Sequence, residues 1–251
     1  MRAAPLITLP LALALALALS ACAYNPELGR QQFAVVDDSS LTLAGERAWK
    51  EALATRTLNR DPAMNARVRA VGQKVVAAAN LWDRPWDYAV FEDTAPNAFV
   101  LPGGHVGVTS GLLRLVDNDD QLAAVIGHET GHVVARHAAE RQSQTVASSL
   151  VLGVLGAAAG NSDTARAISS YGKTGAKYGF LLPFSRQQEL EADRLGVDYM
   201  QRAGYRPREA LALWRKMAAE GGSSTPQFAS THPSDASRIV ALQAYIAQRG
   251  W

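Results

Sequence analysis

Cysteine is almost missing from this chain: among 251 residues only Cys22 carries a thiol. A single cysteine excludes an intrachain disulfide and a thiolate metal cluster. An excess of charge of one sign is missing as well, with 25 Lys and Arg against 23 Asp and Glu. That balance offers no electrostatic case for a nucleic-acid partner. Long apolar runs are scarce beyond the N-terminus. The nearest thing to a membrane span, VASSLVLGVLGAAAG at residues 146–160, is short and rich in glycine and alanine, whereas a spanning helix needs about 20 mainly apolar residues. It reads instead as a buried or mobile helix, placed to act as a lid. A GxSxG elbow and a Walker glycine–lysine loop are also absent, which removes two common hydrolase chemistries; LPGGHVGV lacks the lysine and reads as a hairpin turn.

The N-terminus does carry a signal. MRAAPLITLPLALALALALSAC has a basic start at Arg2, an apolar run from Leu11 to Leu19, and Ser20 and Ala21 directly before Cys22, the layout of an export segment. LSAC resembles the bacterial lipobox. The resemblance implies that residues 1–21 are a signal peptide and that Cys22 becomes the lipidated N-terminus of the mature chain. Acyl burial then anchors the protein at about 0.8 kcal/mol per methylene. Ala23, rather than aspartate, follows the cysteine; by the bacterial sorting pattern this implies the outer membrane, with the protein facing the periplasm. Residues 22–44 are polar, contain Pro26 and Gly29, and keep no period, so they are expected to form a tether.

From residue 45 the chain changes character. Two helices are expected on either side of Asp61 and Pro62, with Val68, Val71, Val75 and Val76 on one face. Short strands follow at Tyr88 to Glu92, Ala98 to Leu101 and His105 to Thr109, with PGG turning between the last two. A helix then starts after VDNDD, where Asn118 and the two aspartates suit its positive end. The expected class is therefore α+β, mainly helical, with a small sheet beside this helix.

That helix contains HETGH. At about 100° per residue, His128 and His132 project from one face and can grip a single ion, with Glu129 beside them. Gly127 and Gly131 flank the histidines at a cost of about 1 kcal/mol each relative to alanine, which calls for close approach by another backbone or by substrate. A third ligand is still required. Position 138 is Ala where the metzincin pattern requires a third histidine, which excludes that class. His137, about 140° from His132 on a continuous helix, points elsewhere and is assigned a structural role. Carboxylates remain, either Asp163 in GNSDT or the cluster SRQQELEADRLGVDYM. The cluster is preferred because it is helical: Ser185 can cap it, Glu189 and Asp193 share one face, and Glu191 lies near the opposite side. Glu189 is the expected ligand and Asp193 its acidic support one turn later.

HETGH together with ELEAD resembles the HExxH and ExxxD pair of the HtpX and CAAX prenyl protease family, the forty-eighth metallopeptidase family. NAFVLPGGHVGVTSGLL and STHPSDASRI join the resemblance, which spans residues from about 45 to 248. Without a strong span after the signal, the chain is more similar to the soluble periplasmic lipoproteins described as LoiP-like or Oma-like. The resemblance implies a gluzincin-type peptidase domain over residues 45–251, holding one Zn2+ through His128, His132 and Glu189. Glu129 would take a proton from water and return it to the leaving amine. By resemblance, His232 or Arg238 would come over the site to stabilise the transition state, or His232 would sit on the metal in a latent form. The strand around Asn97, Ala98 and Phe99 offers an edge to which an extended peptide can add. Unfolded or misassembled envelope polypeptides are thus the expected partners. A lipoprotein chaperone or assembly factor for outer-membrane proteins, with proteolysis secondary or absent, is the competing reading.

Overall fold

The computed structural model describes residues 22–82, 84–158, 184–220, 228, 231–232 and 236–251. The expected signal peptide, residues 1–21, and Asp163 lie outside these.

The segment expected as a tether is folded onto the domain, which corrects the sequence reading. Strands β1 (Cys22–Asn25) and β2 (Arg30–Phe33) form an antiparallel hairpin. Its turn is closed by the Gly29 amide donating to Asn25 O at 2.9 Å, with Gly29 at φ 66°, a conformation open to glycine without steric cost. Asn25 and Gln32 are buried, and their amide groups donate to the carbonyl of Ala135 at 3.3 and 2.7 Å. The hairpin turns polar side chains inward, so no apolar alternation marks it in the sequence. Helix α1 (Asp38–Thr55) also begins within the supposed tether, capped by Asp37 accepting from the Ser40 amide at 2.8 Å.

Helix α2 (Pro62–Ala78) starts as expected, with Asp61 as cap and proline in the first turn. Its Val68, Val71, Val75 and Val76 are buried. The sheet comprises β3 (Asp87–Phe91), β4 (Ala98–Leu101) and β5 (His105–Thr109) in the order β3-β5-β4. Central β5 runs parallel to β3 and antiparallel to β4 and is buried at every position, as a strand flanked on both sides should be. Strand β4 lies at the edge.

Five further helices and a short one complete the described residues: α3 (Ser110–Leu115), α4 (Asp119–Val134), α5 (His137–Ala158), α6 (Arg186–Arg202), α7 (Arg208–Glu220) and α8 (Ala236–Gln248). Asn118 caps α4 by accepting from the Gln121 amide at 2.9 Å, and Asp119 and Asp120 place negative charge at its positive end. Every residue of α4 from Gln121 to His132 is buried, between α2, α6, α7 and β4. Residues 146–158 continue α5, while 159 and 160 lie outside the described residues. Among the described residues no helix is long and apolar enough to cross a membrane.

The glycines of α4 explain its position. A Cβ on Gly127 would stand 2.9 Å from the carbonyl oxygen of Gly196, and one on Gly131 the same distance from that of Ala192. Helices α4 and α6 therefore meet backbone to backbone, the close approach that the sequence called for. This contact sets Glu189 and Asp193, the fourth and eighth residues of α6, against the histidines of α4.

Candidate metal centre

Helix α6 opens with a capping box: Ser185 accepts from the Gln188 amide at 3.2 Å, and the Gln188 side chain accepts from the Ser185 amide at 3.1 Å. The box fixes the first turn and so delivers Glu189, fully buried, between the two histidines. His128 Nε2 and His132 Nε2 lie 3.1 Å apart. Glu189 Oε2 is 3.4 Å from the first, and Glu189 Oε1 is 3.4 Å from the second.

These separations fit a metal ion. Ligand bonds of about 2.0–2.1 Å at tetrahedral angles put neighbouring donors about 3.3 Å apart. A fourth donor joins the set: His232 Nδ1 lies 3.0 Å from Glu189 Oε1 and 3.3 Å from His128 Nε2. One atom from each of His128, His132, Glu189 and His232 falls within 4.8 Å of the others, and all four residues are buried. Electrostatics agree. Burial opposes charge on His128, yet the Asp193 and Glu189 carboxylates outweigh it and push the imidazole up to about 9, the mark of buried anions that favour a cation among them. Burial holds His132 low, as a neutral ligand imidazole requires.

Glu129 follows His128 on α4 and faces the same space. Burial pushes its carboxyl above the usual carboxylate range, the direction that suits a proton acceptor working near neutral pH. His232 Nε2 stands 3.2 Å from Glu129 Oε1, so one imidazole touches both the donor cluster and the candidate base. The backbone amide of Val100, on edge strand β4, also reaches Glu129. A cavity of about 1050 Å³ opens here, lined by Asn97, Ala98, Phe99, Glu129, His132 and His232. The three β4 residues singled out in the sequence thus share one cavity with the candidate base.

Two supporting residues are placed differently from each other. Asp193, one turn beyond Glu189, accepts from His128 Nδ1 at 2.8 Å, as the helical spacing led us to expect. Arg238 does not lie over the cavity. It comes from α8 behind the ligands, with Nη1 2.5 Å from Glu189 Oε2 and with Nε and Nη2 donating to Asp193 at 2.9 and 2.8 Å. Its two carboxylate partners hold it in the interior, and it is not among the residues that line the cavity.

Sequence reasoning missed three contributors. His137 does not point away: α4 ends at Val134, Arg136 takes φ 53°, and α5 starts a new direction that returns His137 Nδ1 to 2.8 Å from His132 Nδ1. Phe184, just before the α6 cap, stacks on His132 with ring centroids 3.7 Å apart. Arg30 of the hairpin grips Glu140 and Glu191. Nothing in the local sequence of Phe184 or Arg30 distinguishes them from ordinary apolar and surface residues.

A family model, Peptidase family M48, matches residues 62–246. This chain belongs to that family. The match takes in α2, the sheet and all four residues of the donor cluster, in agreement with the resemblance carried by HETGH and ELEAD. Mitochondrial metalloendopeptidase OMA1 of Schizosaccharomyces pombe is 40% identical over 183 residues, covering 72% of this chain and 52% of the relative. Its namesake in Saccharomyces cerevisiae is 39% identical over 170 residues, 64% of this chain and 47% of the relative. The beta-barrel assembly-enhancing protease of Yersinia pestis is 30% identical over 221 residues, 85% of this chain and 45% of the relative. The chain spans about half the length of these relatives. M48 members are metal-dependent, and the donor cluster supplies this chain with a matching site.

Proposed function

We propose that the protein is a zinc metalloendopeptidase of the bacterial cell envelope, held at the outer membrane by a lipidated Cys22 and acting on unfolded or misassembled envelope polypeptides. The observation that carries this reading is the donor cluster of His128, His132 and Glu189 beside Glu129, on a cavity edged by β4. Imidazoles with one carboxylate and no thiolate favour zinc among the common divalent ions. Zinc, when bound there, polarises a peptide carbonyl and brings water toward ionisation near neutral pH.

The chain's own residues would do the rest. Edge strand β4 aligns an extended peptide through backbone hydrogen bonds, with little demand on its sequence. Glu129 removes a proton from the attacking water and hands it to the leaving nitrogen, so that the amide bond breaks with a neutral amine departing. The substrate class rests on this sequence-tolerant edge, and the name of the Yersinia pestis relative, beta-barrel assembly-enhancing protease, supports a link to protein assembly.

Zinc content and cleavage of an unfolded substrate such as reduced casein test the reading. Wild type is expected to hold one zinc per chain and to cleave; Glu129→Gln should keep the zinc and lose about 10²- to 10⁴-fold in rate. Undiminished cleavage by Glu129→Gln would remove that residue as base. Binding of unfolded outer-membrane proteins without any cleavage would instead promote the chaperone reading. Anchoring is checked separately: Cys22→Ser should move the protein from the membrane to the soluble fraction.

A second reading concerns the resting state. With His232 Nδ1 among the ligand donors and its Nε2 at Glu129, the arrangement favours a latent form in which this imidazole fills the position a substrate carbonyl needs. His232→Ala should then raise cleavage of a short peptide. A fall would assign His232 to transition-state stabilisation.

A further inference from the structure

His137, Glu191 and Arg30 form a chain of contacts that ends on a ligand histidine. His132 Nδ1 and His137 Nδ1 are 2.8 Å apart, and His137 Nε2 is 3.0 Å from Glu191 Oε2. Arg30 donates to Glu191 through Nε at 2.6 Å and Nη2 at 2.8 Å, and to Glu140 through Nη1 at 2.7 Å and Nη2 at 2.9 Å. His137 is fully buried and Glu191 nearly so.

Hydrogen-bond direction along this chain is not free. When His132 offers Nε2 to the donor cluster, its proton sits on Nδ1 and must be donated to His137 Nδ1. His137 then carries its own proton on Nε2, where Glu191 accepts it. Glu191 and Glu140 share one guanidinium, which leaves a net negative charge across the three, adjacent to the His137 N–H. That charge favours the tautomer the chain requires. A contact that merely joined helices would have no need for a matched sequence of acceptor, donor and anion.

We propose that Arg30, Glu191 and His137 are positioning residues for the metal ligand His132, so that the N-terminal hairpin is a working part of the metal site. Supports of this kind orient the ring and typically matter about 10- to 100-fold in metal affinity. The usual support is a carboxylate or carbonyl; here a second imidazole carries the influence of the carboxylate across one ring. The inference rests on the metal reading above, and zinc binding by wild type tests that reading independently.

The decisive measurement is the zinc Kd of the mature chain by competition with a chromophoric chelator, beside the melting temperature of each metal-free variant. His137→Leu removes the acceptor and should weaken zinc binding about 10- to 100-fold. His137→Gln keeps an oxygen to accept from His132 and an amide to donate to Glu191, and should stay within a few-fold of wild type. The visible spectrum of the cobalt-loaded protein should change in the leucine variant and not in the glutamine one. Arg30→Met should weaken binding by less than His137→Leu. Equal Kd values for wild type, His137→Leu and His137→Gln would overturn the inference, as would losses that simply follow the metal-free melting temperature. Should His137→Leu fail to fold, Glu191→Gln replaces it: this variant keeps the shape and loses the charge, and an unchanged Kd there counts equally against the proposal. Absence of zinc from the wild type would overturn the metal reading first and this inference with it.

Discussion

His128 and His132 leave one helix a turn apart and face the same space, yet they are held in unlike ways. His128 meets a carboxylate directly: Asp193 at 2.8 Å, supplied by the helix that also brings Glu189 and backed by Arg238. His132 meets another imidazole at 2.8 Å and reaches its carboxylate, Glu191, only through that ring. The first support is one carboxylate of α6 with Arg238 of α8 behind it. The second is assembled from the corner between α4 and α5, Glu191 of α6 and the hairpin β1-β2. One is local and stiff, the other distributed, so disturbance at the N-terminus should reach His132 and spare His128.

The strongest test of this difference sets the two acidic residues side by side. Asp193→Ala should weaken zinc retention about 10- to 100-fold, because it strips the acceptor from a ligand ring. Glu191→Ala, one imidazole further away, should cost about three- to tenfold. Asp193→Asn keeps an oxygen for His128 Nδ1 and should fall between wild type and Asp193→Ala. Equal zinc content after dialysis against a weak chelator for Asp193→Ala and Glu191→Ala would erase the distinction between the two supports.

Both supports depend on the same spacing between α4 and α6, which gives a second test. A methyl group at Gly131 would meet the Ala192 carbonyl oxygen at 2.9 Å and its Cα at 3.1 Å. These are backbone atoms that cannot swing aside. Overpacking of this kind costs about 1–3 kcal/mol, offset by about 1 kcal/mol of regained helix propensity. Gly131→Ala should therefore lower stability by up to about 2 kcal/mol in urea unfolding and should loosen zinc at both histidines. A stabilised variant would show that the close helix contact is not what holds the site.

The two supports also differ in how far the sequence disclosed them. His128, Glu129 and His132, together with Glu189 and Asp193, stand at fixed spacings inside two unbroken helices, where about 100° per residue converts position into direction. The sheet was readable for a related reason: alternation and the PGG turn mark β4 and β5 within their observed limits. His137 failed the same arithmetic because the helix breaks at Arg136, an arginine in left-handed conformation where glycine or asparagine would have given warning. Hairpin β1-β2 stayed hidden because its buried positions are Asn25 and Gln32, which satisfy the Ala135 carbonyl instead of filling an apolar core. Arg238 was read as an open-side residue, since a sequence cannot show that two buried carboxylates claim its guanidinium. Periodicity reveals what one helix does alone; it is silent where segments far apart in the chain exchange polar contacts.

The smallest expected effect concerns the distributed support and acid. Burial raises the Glu140 carboxyl, but hydrogen bonds from Arg30, Gln188 and Gln32 outweigh it and leave the group below the usual carboxylate range. A carboxyl whose folded pKa is depressed contributes its full stabilisation above the unfolded value of about 4.3, and loses it as pH falls through the folded value. Acid should thus release the hairpin from the α4–α5 corner while the α4–α6 contact, made by backbone and small residues, persists. Protection of the β2 amides, corrected for the intrinsic exchange rate, should fall below about pH 4, as pH drops from the unfolded value toward the lower folded one, ahead of protection in α4. Glu140→Gln should exchange faster than wild type at neutral pH and respond less to acid, because its amide has no proton to gain. If wild type and variant steepen together on acidification, the hairpin is held by something other than the Arg30 clamp, and His132 loses the distant end of its support.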